Sequence, residues 1–355
     1  MTSGTDRADA LLRDMVEIAS PSGDEAGVVG YLADVLPEWG FQSSVDEAGN
    51  VIGRRGDPAA PMILLLGHID TVPGQLPVRR EGRLLHGRGS IDAKGPFATM
   101  ICAASALEPQ DVQIVVAGAV EEETFGRGAR HVARTFSPDA AIIGEPNGWA
   151  GIGIGYKGRT MLRYEVSRPA AHTASGEENA SEAAAAFWHR LTGHLAGFPS
   201  AERVFDRPVA TLCDIEGGLE RARLTVSCRT PPGFDLPAFE RFLAAAGDGD
   251  LIIDDRTPAM VVDHRGATVR ALSAGIRAQG GRPKLKLKTG TADLNIVGQY
   301  WQVPMAVYGP GDSALDHTDH EHIDLDEYAS AITVLGDALR RLAGELATTT
   351  TLVHG

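Results

Sequence analysis

Histidine and carboxylate side chains recur just after apolar runs in this sequence, where they could hold a metal ion and activate water. The run MILLLGHIDTVPG delivers His68 and Asp70, which point the same way on an extended chain. Such a pair suits an imidazole ligand and the carboxylate that orients it, although the same tripeptide serves equally as a polar turn. Asp92 stands in GRGSIDAKGP at the mouth of a helix, a place where Asp is also an ordinary N-cap. Glu145 follows the run DAAIIG, and YGPGDSALDHTDHEH sets His317, His320 and His322 after another. Glu121, Glu122 and Glu123 stand in a row after VQIVVAGAV, where three adjacent carboxylates repel unless a cation is near.

Any one of these is weak, but together they point to a metal site. The ligand types are His, Asp and Glu without thiolate, which suits zinc, with cobalt or manganese as substitutes. Two histidines and three carboxylates are too many for one tetrahedral ion that keeps a position open. They fit two ions about 3.5–4 Å apart that share one carboxylate.

Strands must present these residues. MILLLG, VQIVVAGAV and DAAIIG read as buried strands, and ADALLRDMVEIA, GDEAGVVGYLADVL and KGPFATMICAASAL as helices. Open α/β sheets carry their sites at the carboxyl ends of such strands. The character changes near Tyr156: RTMLRYEVSR, PVATLCDIEGG and RARLTVSCR read as strands, ENASEAAAAFWHRLTGHL and LPAFERFLAAAG as helices. The first style returns with helix ATVRALSAGIRAQGG, strand VPMAVYG and helix DEYASAITVLGDALRRLAGEL, before a tail ATTTTLVHG that reads as frayed. The expected fold is α/β. A catalytic domain with a mainly parallel sheet (1–156 and 263–355) is interrupted by an inserted α+β domain (157–262).

The bulk properties exclude several classes. A formal net charge of −14 over 355 residues disfavours nucleic acid and anionic membranes as partners. No apolar run reaches 18 residues, and the N-terminus lacks a secretory pattern. Cys102, Cys213 and Cys228 support neither a disulfide framework nor a zinc-thiolate motif, and a cytoplasmic protein is the economical reading. GIGIGYKG contains a G-x-G-x-x-G pattern, but an alternating strand follows it rather than a helix, so a dinucleotide site is not expected.

At these residues the sequence resembles the co-catalytic di-zinc metallopeptidase family that includes acetylornithine deacetylase, succinyl-diaminopimelate desuccinylase, aminoacylase and carboxypeptidase G. Five motifs occur in the family's order, over essentially the whole chain. The resemblance implies a zinc-peptidase-like catalytic domain, a lid (dimerisation) domain as the insert, two Zn2+ per subunit and a homodimer formed through the insert. It implies that His68 binds one zinc with Asp70 orienting it, that Asp92 bridges, and that Glu145 completes the first zinc. The family's histidine precedes a Glu by four residues, which selects His317, with Glu321, over His320 and His322; these two become surface or supporting residues. Gly128-Ala129-Arg130 sets the register of the triplet, so that Glu122 is the general base, Glu123 a ligand of the second zinc, and Glu121 neither. His172 in AAHTASGEENASEAA would stabilise the oxyanion, reaching the neighbouring subunit's site in dimeric members. Arg229 in VSCRTPP and Thr289, Gly290 and Thr291 in KTGTADLN would meet substrate.

Within the family, GRGSIDAKGP, GEPNGW, GYKGR, KLKLKTGTADLN and YGPGDSALDHT look most like the branch that releases lysine or ornithine from an acidic amino-group carrier protein. There the amino acid's α-amine is masked as an amide with the carrier's C-terminal glutamate side chain. The implied activity is hydrolysis of a linear amide, not proteolysis, in lysine or arginine biosynthesis. A small-molecule deacylase (acetylornithine or succinyl-diaminopimelate type) or a dipeptidase is the alternative. A catalytically inactive binding protein is the alternative of another class, and the complete ligand set with Glu122 argues against it. In RPKLKLKTG, Lys284, Lys286 and Lys288 alternate with Leu285 and Leu287, which on a strand puts three amines on one face and two leucines into the core. The amines would dock the acidic carrier over a screening length of about 8 Å, with a plain solvated face as the alternative.

Overall fold

The continuous apolar runs form strands buried on both faces. Gln113–Ala119, Met62–His68, Ala140–Gly144 and Met305–Val307 lie side by side in that order, all parallel. Antiparallel neighbours flank them: Val51–Arg55 and then Gln42–Val45 on one side, and Gly151–Tyr156 on the other. The parallel part of the sheet is therefore these four central strands. Their register keeps the carboxyl ends level, with His68 opposite Ala119 and Gly67 opposite Gly144. Residues that follow each strand leave the sheet at one edge, as open α/β sites require.

The computed structural model describes residues 4–108, 111–199 and 202–354, with side chains to residue 348. These divide into two compact units, Met1–Ile154 with Val262–Lys286 and Ala292–Gly355, and Gly155–Val261 with Leu287–Thr291.

In the first unit the helix Lys94–Ser105 is buried along nearly its whole length. It approaches the sheet closely because Gly67 and Gly118 lack side chains there. A Cβ on Gly67 would stand 3.1 Å from Phe97 Cδ2, and one on Gly118 3.0 Å from Phe97 Cε1. Lys94 begins this helix and is buried, its Nζ donating to the carbonyls of Met15 at 3.0 Å and Ile18 at 2.6 Å. It thereby caps the end of the helix Gly4–Glu17. The helix Leu325–His354 packs against Lys94–Ser105 and Ala267–Ala278. It runs through the tail expected to fray, and within that stretch Thr348 Oγ1 donates back to the carbonyl of Gly344 at 2.8 Å. Among the described residues no helix is long and apolar enough to cross a membrane.

The second unit is an antiparallel sheet in the order Val209–Gly217, Arg221–Thr230, Gly158–Ser167, Asp250–Thr257. The helices Ala180–Ala196 and Leu236–Ala245 supply the rest of its core, where Leu162, Tyr164, Phe187, Leu224 and Phe239 are buried together. Tyr164 stacks on Phe187 with ring centroids 4.0 Å apart. Asn179 caps the first helix reciprocally with Glu182, a capping box.

The short strand Lys284–Lys288 departs from expectation twice. Leu285 is 45% exposed and Leu287 only half-buried, so the alternation does not drive two leucines into a core. In addition, Leu287–Thr291 belongs to the second unit, whereas the sequence pattern put all of 263–355 in the first. The cause is local. Lys157 donates its N–H to the carbonyl of Lys288 at 3.2 Å, and its own carbonyl accepts Thr291 Oγ1 at 2.8 Å.

Candidate metal centre and active site

At the level ends of the parallel strands the first unit gathers two groups of ligand atoms. His68, Asp92 and Glu145 form one, Asp92, Glu123 and His317 the other, and within each group the atoms lie within 4.8 Å of one another. Asp92 is common to both. Its Oδ1 lies 3.2 Å from His68 Nε2 and its Oδ2 3.0 Å from His317 Nε2, while His317 Nε2 also lies 2.9 Å from Glu123 Oε1. Imidazole and carboxylate donors in this arrangement suit a pair of divalent cations bridged by one carboxylate. Glu122, half-buried, directly precedes Glu123 in the chain and lies close enough to His68, Glu145 and Glu123 for their charges to act on it.

The surroundings hold each donor in place. His68 Nδ1 is 3.1 Å from the carbonyl oxygen of Asp70 and 3.4 Å from its Oδ1. Buried Glu321 receives the N–H groups of Ile91 at 3.1 Å and Asp92 at 3.4 Å, and its other oxygen pairs with Arg88 Nη1 at 2.8 Å. Arg88 also donates to the carbonyl of Thr318, one residue beyond His317, at 3.1 Å. One ion pair thus ties the Asp92 loop to the His317 loop. The peptide Asp92–Ala93 is cis. Glu121 and His317 have φ of 60° and 62°, left-handed values that side chains other than glycine seldom adopt and that cluster at functional sites.

Burial and charge act strongly here. Burial alone would lower the proton affinity of His68, but hydrogen bonds to Asp70 and Asp92 hold it well above its ordinary value. His317 is raised to about 10 by its bonds to Asp92 and Glu123. Burial raises Asp92, yet the two histidines outweigh it and hold its carboxyl below the usual range. Glu122 and Glu145 go the other way: burial, then neighbouring carboxylates, push both well above the ordinary value against the opposing charge of His68. A cation between them reverses that sign. A bound cation is therefore the natural relief for this cluster.

Other residues fall elsewhere. Glu121 turns its carboxylate to Arg127 Nε at 2.9 Å, and its carbonyl accepts the N–H of Gly126 at 2.7 Å, so it shapes the turn. His320 is exposed, and His322 faces His86 across a small sheet with ring centroids 5.0 Å apart. His172, Arg229, Thr289, Gly290 and Thr291 all lie in the second unit. His172 is exposed and its Nδ1 accepts the N–H of Ala174 at 3.1 Å, while Arg229 donates to Thr291 Oγ1.

Several residues went unread in the sequence. Arg88, Glu25 and Asn50 support the site through contacts distant in sequence. Asp293 is buried with neither oxygen hydrogen-bonded, and burial with the charge of Asp70 raises it to about 7 against His68 and Arg130. The motif KTGTADLN contained it, but only its Thr-Gly-Thr part carried a signal.

Comparison with known proteins extends the geometry. The model for peptidase family M20/M25/M40 matches residues 64–341. A LysW-lysine hydrolase of Deinococcus radiodurans is 43% identical over 97% of this chain and 99% of its own length. A LysW-lysine/LysW-ornithine hydrolase of Saccharolobus islandicus is 28% identical over 90% of this chain and 92% of its own. The fold is also that of the M20 family metallo-carboxypeptidase Sso-CP2 from Sulfolobus solfataricus. That match has a TM-score of 0.79 at 15% identity, covering 97% of this chain and 100% of that one. The chain belongs to peptidase family M20/M25/M40, a family of metal-dependent hydrolases.

Proposed function

We propose that this protein hydrolyses the amide joining the α-amine of lysine or ornithine to the C-terminal glutamate side chain of an acidic amino-group carrier protein. The observation that carries the chemistry is Asp92 shared between two ligand groups, with Glu122 beside them. Full-length similarity to the LysW-lysine hydrolase supports the substrate. Two Zn2+ per subunit would be held by His68, Asp92 and Glu145 and by Asp92, Glu123 and His317, with Co2+ or Mn2+ as substitutes. When bound, the ions supply Lewis-acid polarisation of the carbonyl and acidify the attacking water.

Glu122 takes a proton from that water and returns it to the leaving α-amine. Asp70 holds the ring of His68. His172 stabilises the oxyanion, and Arg229 with Thr289, Gly290 and Thr291 holds the substrate. The face of Lys284, Lys286 and Lys288 docks the carrier. The enzyme cleaves a linear amide rather than acting as a proteinase and works in the cytoplasm as a homodimer through the inserted domain.

The test is incubation of the metal-loaded enzyme with carrier protein charged with lysine, with ornithine or with other amino acids. Mass spectrometry should show loss of one lysine or ornithine from the carrier, and loss abolished in Glu122→Ala. Turnover of small N-acyl amino acids with the charged carrier left intact would instead favour the deacylase reading.

A further inference from the structure

Four consecutive backbone N–H groups, on Val120, Glu121, Glu122 and Glu123, each end on a side-chain oxygen. Val120 donates to Asn50 Oδ1 at 3.1 Å and Glu121 to Glu25 Oε1 at 3.1 Å. Glu122 donates to Asp70 Oδ1 at 3.0 Å and Glu123 to Asp70 Oδ2 at 3.1 Å. The three acceptors come from segments far apart in sequence, and Glu25 and Asn50 are buried. The left-handed conformation of Glu121 lies within this run.

Asn50 also closes the segment from its far side. Its Nδ2 donates to the carbonyl of Gly128 at 3.1 Å and to Asp46 Oδ2 at 2.8 Å, while Gly128 returns its N–H to the carbonyl of Val120 at 3.1 Å. Gly128 has no room for a side chain, since a Cβ there would stand 2.3 Å from Asn50 Oδ1. Glu25 Oε1 is anchored in turn by the N–H of Gly23 at 2.9 Å. One segment, residues 120 to 128, is therefore gripped at both ends and along its middle.

The geometry points to Glu25 and Asn50 as positioning residues that, together with Asp70, set the direction in which the Glu122 carboxylate faces. The inference rests on Glu122 as the general base. A turn carrying a left-handed non-glycine residue relaxes when its N–H partners are removed. A displacement of about 1 Å at a reacting group costs on the order of 100-fold in rate. Neither residue touches substrate; both act through the backbone.

The experiment compares Glu25→Gln, Glu25→Ala and Asn50→Asp with Glu122→Ala in the metal-loaded enzyme, using lysine-charged carrier, or an N-acyl amino acid that the parent enzyme cleaves. Glu25→Gln keeps an oxygen for the Glu121 N–H and should hold kcat within about threefold. Glu25→Ala should lower kcat at least tenfold with KM and bound-metal stoichiometry unchanged. Asn50→Asp keeps the acceptor for Val120 but loses both donors and faces Asp46, so its kcat should fall further. Parent-level kcat in Glu25→Ala beside an inactive Glu122→Ala overturns the inference. A fall accompanied by loss of metal overturns it too, because the role would then be structural. Retained activity in Glu122→Ala removes the base assignment instead, a separate outcome.

Discussion

Asp70 accepts the backbone N–H of Glu122 at 3.0 Å, so the carboxylate beside His68 also steadies the turn of the glutamates. Its second oxygen takes the N–H of Glu123 and the hydroxyl of Ser22 at 2.7 Å. Asparagine cannot reproduce this, because one of its two terminal atoms is a donor and would oppose an N–H. Asp70→Asn should weaken Zn2+ or Co2+ affinity by roughly 10- to 100-fold. At saturating metal its turnover should still be depressed, because the turn itself has moved. Calorimetric titration with metal and steady-state rates separate the two effects, and unchanged affinity would remove Asp70 from the centre's support.

Arg88 and Glu321 form a buried ion pair that joins two loops of the centre. Removing the guanidinium leaves a buried carboxylate uncompensated, a loss of about 3–5 kcal/mol. Arg88→Met should therefore shift the urea midpoint downward strongly. Adding Glu321→Gln should regain part of the loss, since a neutral amide still accepts the N–H of Ile91. Equal midpoints for the single and double variants would show that the charge is not the cause.

Lys94 predicts an unusual pH dependence. Burial pushes its ammonium down to about 8 from the ordinary 10.5, against the favourable charges of Glu321 and Asp70. Between those values the unfolded chain binds more protons than the folded one, so this group's contribution to stability rises with pH. The full difference is on the order of 3 kcal/mol, and it lies above pH 8. Urea unfolding between pH 7 and 9 should show a rise in the parent relative to Lys94→Met. Parallel curves for the two proteins would contradict it.

Lys284 is exposed, while Lys286 and Lys288 are half-buried. Lys284→Glu with Lys286→Glu should lower kcat/KM on charged carrier by about tenfold at low salt, with a smaller effect as salt rises. Turnover of a small N-acyl amino acid should be spared. Equal losses on both substrates would take this face out of carrier recognition.

Much of the centre was legible because a fully buried parallel strand is written as a continuous apolar run, and whatever polar residue follows it must emerge at the sheet's edge. His68, the glutamate triplet and Glu145 follow such runs in this way, whereas His317 comes ten residues after Val307. The alternation in Lys284–Lys288 was legible too, but only as orientation. Period two says that leucines and lysines face opposite ways; whether anything covers the leucine face depends on distant chain, and Leu285 remains exposed.

By itself the sequence carried the four central parallel strands and the order of the His, Asp and Glu residues that gather at their ends, since these depend on local composition and periodicity. The flanking strands Gln42–Val45 and Val51–Arg55 went unread. Only the tertiary structure decided which N–H groups Glu25, Asn50 and Asp70 receive, that Asp92 turns one oxygen to each histidine, and that Arg88 reaches Glu321. In sequence, Glu25 precedes a helix and Asn50 follows a glycine, and neither position announces a contact with residues 120 to 123. A hydrogen bond acts over about 3 Å, and chain reversals outside any local window bring donor and acceptor that close.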